Sequence, residues 1–298
     1  MFALVYADIF QYPYTVDEII TWIPHNTWSK QDIIKHIHIL SKNKILTYKK
    51  PFYVLHGHDA HIEIRKKREC IAQKKWEKAV FAASILRFIP TIMYIGVTGG
   101  LSMQNADKND DIDFYVCTQK GAIWITRCIA AVFMEVIGRR RRPESKDVRD
   151  TICLNMFVAE DALGVLKNER DIYVAHEVLQ MVTLWEKEGM YKKFLLNNTW
   201  VSDIFPNKWK EVVKKKNKYD IHYHGHMGMS FIVWICRKLE KPVRTIQLWY
   251  MKKRRTSEVV TESIIRFHPK DARVWIKSCL KKRLRIYQLP LDKKFFRL

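Results

Sequence analysis

Two aspartates one residue apart, Asp111 and Asp113, stand in the run Asp-Ile-Asp-Phe-Tyr-Val at positions 111–116. Side chains alternate along a strand, so these two carboxylates point the same way while Ile112 points into the core. Like charges so placed repel, and a divalent cation between them offsets the repulsion. Mg2+ takes carboxylate oxygens, with substrate phosphates and water completing its octahedron, and Mn2+ accepts the same hard oxygen ligands. Upstream, the apolar run Ile92 to Val97 reads as a buried strand and leads into Gly99, Gly100 and Ser102. Paired glycines let a backbone come close to a phosphate and present N–H groups to it, and Ser102 can add a hydroxyl donor. The chemistry expected of this set is the holding of a metal-bound polyphosphate. The plainer alternative is a strand pair joined by an Asp-rich turn.

The order Thr98-Gly99-Gly100, a spacer over 101–110, then Asp111-Ile112-Asp113-Phe114 resembles the signature of the nucleotidyltransferase superfamily of DNA polymerase beta, with Thr98 where the family has an apolar residue. The resemblance implies Mg2+ or Mn2+ as cofactor and a nucleoside triphosphate (NTP) as substrate. Asp111 and Asp113 would be the metal-holding catalytic carboxylates, and Gly99, Gly100 and Ser102 the phosphate contacts. A nucleoside monophosphate would pass to an acceptor hydroxyl, possibly of RNA. The family usually carries a third carboxylate on the next strand, here Thr151 to Val158. The central polar residue of that strand is Asn155, a weak neutral ligand, and Asp150 at its start has the opposite parity. Two readings stay open: two carboxylates suffice for transfer, or the site binds nucleotide without turnover and serves a nucleic-acid-binding regulator. The phrase Arg266 to Asp271 (RFHPKD) resembles the end of a group of bacterial nucleotidyltransferase-domain proteins of unassigned substrate, which also begin with a winged helix and carry Asn on the third strand.

The chain has 298 residues and a formal net charge of +22, which calls for a polyanionic partner such as nucleic acid, nucleotide or an acidic surface. A generally basic proteome is the alternative, because the excess is spread over the chain. Six scattered cysteines show no finger spacing, and the first residues lack the basic start of a secretory signal, so free thiols and a cytoplasmic location are expected. The longest apolar run, 121–138, is interrupted by Arg127 and Glu135 and reads as a buried helix rather than a membrane span.

An α+β fold in three parts would position these groups. Residues 1–65 read as a winged helix-turn-helix: an apolar helix from Phe2 to Phe10, a capping box Thr15-Val16-Asp17-Glu18, a helix opened by Ser29, and a hairpin about Lys49-Lys50-Pro51. Lys30, Gln31, Lys35, His38 and Lys42 would form its exposed nucleic-acid face; a packing module is the alternative. Residues 66–160 are expected to form a nucleotidyltransferase-like mixed sheet led by a basic helix over 62–89. Ile71, Val80, Ala83, Ile85 and Leu86 would face its core, and Lys75 and Lys78 its polar side. Arg139 to Arg142 read as a solvated loop or a phosphate contact. Residues 161–298 are expected to be helical, with one helix from Arg170 to Trp185 and others over 230–239, 245–253 and 272–286. A basic linker is expected near 207–227. His176 and His268 are weighed as site groups against structural histidines, and His222, His224 and His226 as metal ligands against a polar tract.

Overall fold

The computed structural model describes residues 1–25, 28–142, 145, 147–214, 229–252, 259–266 and 272–290, apart from the side chains of Asn155, Met229 and Ser230. His222, His224, His226 and His268, the RFHPKD phrase beyond Arg266, and most of the 207–227 linker lie outside the described residues.

The N-terminal part has helices α1 (Phe2–Ile9), α2 (Val16–Thr21) and α3 (Lys30–Lys42), then the antiparallel hairpin β1 (Leu46–Lys49) and β2 (Phe52–Leu55). Helix α1 is apolar but for Asp8, and Ala3 to Ile9 are all buried, as a helix without a polar face must be. The capping box forms: the Thr15 hydroxyl accepts from the Glu18 N–H, and the Glu18 carboxylate accepts from the Thr15 N–H. Glu18 also receives Arg65 of the long helix α4 (Ala60–Leu86), at 2.7 Å. The guanidinium of Arg65 is buried against Tyr12 and Phe52, so the hairpin and α4 share one charged pin.

The central sheet is mixed. Strands β3 (Ile92–Val97), β4 (Ile112–Thr118), β5 (Ile152–Ala159), β6 (Val182–Glu186), β7 (Val259–Val260) and β8 (Ile264–Arg266) lie in the order β6-β3-β4-β5-β8-β7. Only β4 and β5 run parallel. Parallel neighbours need a crossover, and here it includes helix α6 (Ile123–Val136), while the short α5 (Gly99–Ser102) lies between β3 and β4. Two N–H groups in the first turn of α6, on Trp124 and Ile125, donate to the carboxylate of Glu240 at 2.9 and 3.0 Å, a carboxylate where the helix dipole favours one. One face of the sheet packs on α4 and α6 through Ile95, Val97, Ile112, Phe114 and Val116. The other, through Tyr94, Tyr115 and Cys117, packs among the helices α7 (Ile172–Gln180) and α8 (Met190–Asn197) and the N-terminal helices. Helices α9 (Val201–Ile204), α10 (Pro206–Lys214), α11 (Met229–Met251) and α12 (Ala272–Ile286) complete the described elements.

Several expectations are corrected. The helix expected through Trp185 ends at Gln180, and Val182–Glu186 instead pairs with β3. The C-terminal part, expected to be helical, also gives β7 and β8 to the sheet. Short β-branched and aromatic runs fit helical periodicity and strand equally, and an unpaired sheet edge decided between them. The start of the expected linker, 206–214, is helix α10, and the two helices expected over 230–253 are one helix that contains Pro242. On α4 the buried stripe is Ala72, Lys75, Ala79, Ala82, Ala83 and Leu86, while Val80 is exposed. Lys75 is therefore not on the solvated side. Its ammonium donates to the Asp110 carbonyl (2.6 Å) and pairs with Asp150 (3.0 Å), which satisfies the charge that burial would otherwise penalise. All six cysteines are unpaired. No helix of the described residues is long and apolar enough to cross a membrane.

Candidate active site

The end of β3, the start of α5 and the start of β4 meet at one place. Gly99 has φ +65°, and a Cβ there would lie 2.9 Å from Asp113 Oδ2. The Thr98 N–H donates to the Asp113 carbonyl at 3.1 Å, so the turn and the acid are tied through backbone as well. Asp111 and Asp113 do share a side, with Ile112 fully buried between them. Oxygen atoms of both carboxylates and Sγ of Cys153 all lie within 4.8 Å of one another.

The third position departs from expectation. In the parallel β4–β5 ladder Cys153 stands level with Asp113, and the register then slips, so that Tyr115 is level with Met156. Two steps along β4 thus match three along β5, which places Asn155 in the slip; its side chain is outside the described residues. Asp150, weighed as a third ligand, is turned away: its carboxylate pairs with Lys75 and Lys78. Those contacts fix the loop ahead of Asp111, because Lys75 also holds the Asp110 carbonyl.

A further carboxylate, Glu177, lines the same cavity but lies outside the cluster of ligating atoms formed by Asp111, Asp113 and Cys153. Glu177, on α7, is close enough to Asp113 and to the Gly99 N–H for both to bear on its protonation. Burial first, and Asp113 second, push its carboxyl up to about 7, against the opposing pull of the Gly99 N–H. The helix that carries it is well anchored. Asp171 caps α7 by accepting from the Val174 N–H at 2.8 Å, and its other oxygen lies 2.6 Å from Lys277 of α12. Sequence reasoning missed Glu177; the signal was the single acid in the helix Ile172–Gln180.

Arg141, from the run Arg139 to Arg142, reaches the site. Its Nη1 lies 2.5 Å from Asp111 Oδ2 and 3.0 Å from Cys153 Sγ. Arg140 and Arg142 pair with Glu135 instead. The Cys153 thiol is held neutral, its pKa raised by burial and then by Asp113 and Asp111, so it is no ready nucleophile. Gly99, Asp111, Asp113, Arg141 and Glu177 line a cavity of about 630 Å3, and Arg266 and Arg273 also belong to its lining. That volume is in the range of small-molecule sites.

Among the remaining expected site residues, Gly100 packs on the Asn105 carbonyl, 3.3 Å from where its Cβ would be. The Ser102 hydroxyl donates to the Gly99 carbonyl at 2.8 Å. Of the glycine pair it is Gly99 that faces the acids. His176 is a core residue, stacked on Tyr6 at 4.1 Å and Trp22 at 4.5 Å between ring centroids.

The chain matches no family model, no curated protein and no solved structure.

Proposed function

We propose that the protein is a divalent-cation-dependent nucleotidyltransferase, moving a nucleoside monophosphate from an NTP to an acceptor hydroxyl. The observation that carries this reading is the placement of Asp113 against the Gly99 turn, beside Asp111, at the wall of a nucleotide-sized cavity. The donor set fits Mg2+ or Mn2+ through the two carboxylates, while the neutral Cys153 thiol is no ligand for so hard an ion. A cation held by Asp111 and Asp113 would supply positive charge to the triphosphate.

The protein's own groups then have separate tasks. The turn at Gly99 admits the phosphate chain without a side chain in the way. Arg141 exchanges its bond to Asp111 for phosphate oxygens, for which a guanidinium is well shaped. Glu177 stands where the proton of an acceptor hydroxyl can go as the new P–O bond forms and pyrophosphate leaves. Its raised pKa near neutrality suits that task.

The acceptor is proposed to be nucleic acid. Three helices and a hairpin precede the sheet, an arrangement compatible with a winged helix, and Lys30, Gln31, Lys35, His38 and Lys42 are exposed on α3. Binding through such a face would weaken steeply with salt.

A second reading, nucleotide binding without turnover in a nucleic-acid-binding regulator, is favoured by one observation. Arg141 already neutralises Asp111. The deciding experiment incubates the protein with labelled NTPs, Mg2+ or Mn2+ and RNA, beside Asp111→Ala and Asp113→Ala. Label transfer by the unmodified protein alone supports the transferase. Equal background in all three removes the enzyme reading.

A further inference from the structure

A second cluster of ligating groups lies away from the cavity just described. Asp8 lies in the last turn of α1, His58 sits in the turn between β2 and α4, and His61 is in the first turn of α4. Both histidines aim Nδ1 at the same oxygen, Asp8 Oδ1, at 2.5 Å for His58 and 3.2 Å for His61. The three donor atoms all lie within 4.8 Å of one another. The other carboxylate oxygen of Asp8 receives Arg283 Nε of α12 at 2.9 Å.

We propose that Asp8, His58 and His61 form a binding site for a Zn2+-class divalent cation, separate from the carboxylate pair at Asp111 and Asp113. Two imidazole nitrogens with one carboxylate oxygen favour zinc, cobalt or nickel over magnesium, because imidazole suits the borderline-soft ions. Ligand atoms about 2.0–2.1 Å from a tetrahedral zinc lie about 3.3 Å apart. The His61 contact already has that span, and His58, 39% exposed at its side chain, has room to open to it. The His61 N–H donates to the His58 carbonyl at 3.0 Å, which holds the two rings on one side of the turn. Asp8 is buried, and Arg283 fixes its carboxylate so that Oδ1 is the oxygen presented, the role of an outer partner in metal sites. Three protein ligands leave a fourth position for water or another ligand. The cation would join α1 to the start of α4.

The test uses the full chain stripped with EDTA and titrated with Co2+, then competed with Zn2+. The double variant H58Q/H61Q should lose one equivalent of Co2+ and its visible absorption, while D111N/D113N should keep both. X-ray absorption on the zinc-loaded unmodified protein should show nitrogen and oxygen neighbours with imidazole scattering; this measurement needs no folded variant. The same stoichiometry and spectrum in H58Q/H61Q would overturn the proposal. So would a lack of imidazole scattering, or no binding by the unmodified protein. Because D111N/D113N is scored separately, failure here and failure of the nucleotidyltransferase reading give different results.

Discussion

The Asp113 carboxylate stands 2.9 Å from the point where a Cβ on Gly99 would be. Gly99 also sits in the left-handed region, at φ +65°, where any L side chain is strained by about 1–2 kcal/mol. Gly99→Ala should therefore lower stability by about that much, move Asp113 and abolish nucleotide binding. Gly100→Ala, whose Cβ would press on the Asn105 carbonyl at 3.3 Å, should leave more of the binding intact. Chemical denaturation and nucleotide titration of both variants check this ordering.

Glu177 gives a pH signature. Its carboxyl is raised to about 7 in the fold, against an ordinary value near 4.3. The ionised form is thus disfavoured by folding, and metal-free protein loses stability as pH rises from the ordinary value through about 7. Glu177→Gln mimics the neutral carboxyl and should remove that loss. In EDTA the variant should be more stable than the unmodified protein at pH 8, by about 1–3 kcal/mol, and little different at pH 4.5. Its transferase activity should fall at pH 8 and differ little from that of the unmodified protein at pH 4.5, where Glu177 is already neutral. Thermal melts across pH, beside turnover assays, read both effects.

The ion pair of Asp171 and Lys277, 2.6 Å apart and buried on both sides, anchors the helix that carries Glu177. Removing one member leaves a buried charge, which typically costs about 3–5 kcal/mol. Lys277→Met should lose that much by denaturant unfolding, and Asp171→Asn/Lys277→Met should lose less than the sum of the two single changes.

His176 acts in the opposite pH direction to Glu177. Burial pushes its pKa well below 6.5, so its contribution is full above about pH 6.5 and is lost as pH falls through the folded value. His176→Phe keeps a ring against Tyr6, Trp22 and Phe205 with nothing to protonate. Between pH 7 and pH 5 the melting temperature of the unmodified protein should fall more steeply than that of the variant.

Some of this was legible in the sequence because it is local. Strand alternation alone put Asp111 and Asp113 on one side and Ile112 in the core. The capping box at Thr15 and Glu18 reads directly from residue spacing, and its bonds are present. Other features depend on contacts between distant segments. Cys153 stands beside Asp113 only because β4 and β5 run parallel with a register slip, and no periodicity within β5 states that. Arg141 differs from its three arginine neighbours only in what the fold brings near it. Glu177 reaches the site because α7 packs near the turn after β3, with Asp171 and Lys277 holding the helix. Lys75 resembles its exposed neighbours in sequence and is buried because three oxygens, two of them carbonyls, wait for its ammonium.

The most direct test of the account is calorimetric titration of a non-hydrolysable NTP with Mg2+ into the unmodified protein and into Asp113→Ala. The expected result is one metal-dependent binding event in the unmodified protein, with added stability of about 2.7 kcal/mol at a hundred times Kd, and its loss in the variant. No binding of any of the four NTPs, or equal binding with and without Asp113, would contradict it.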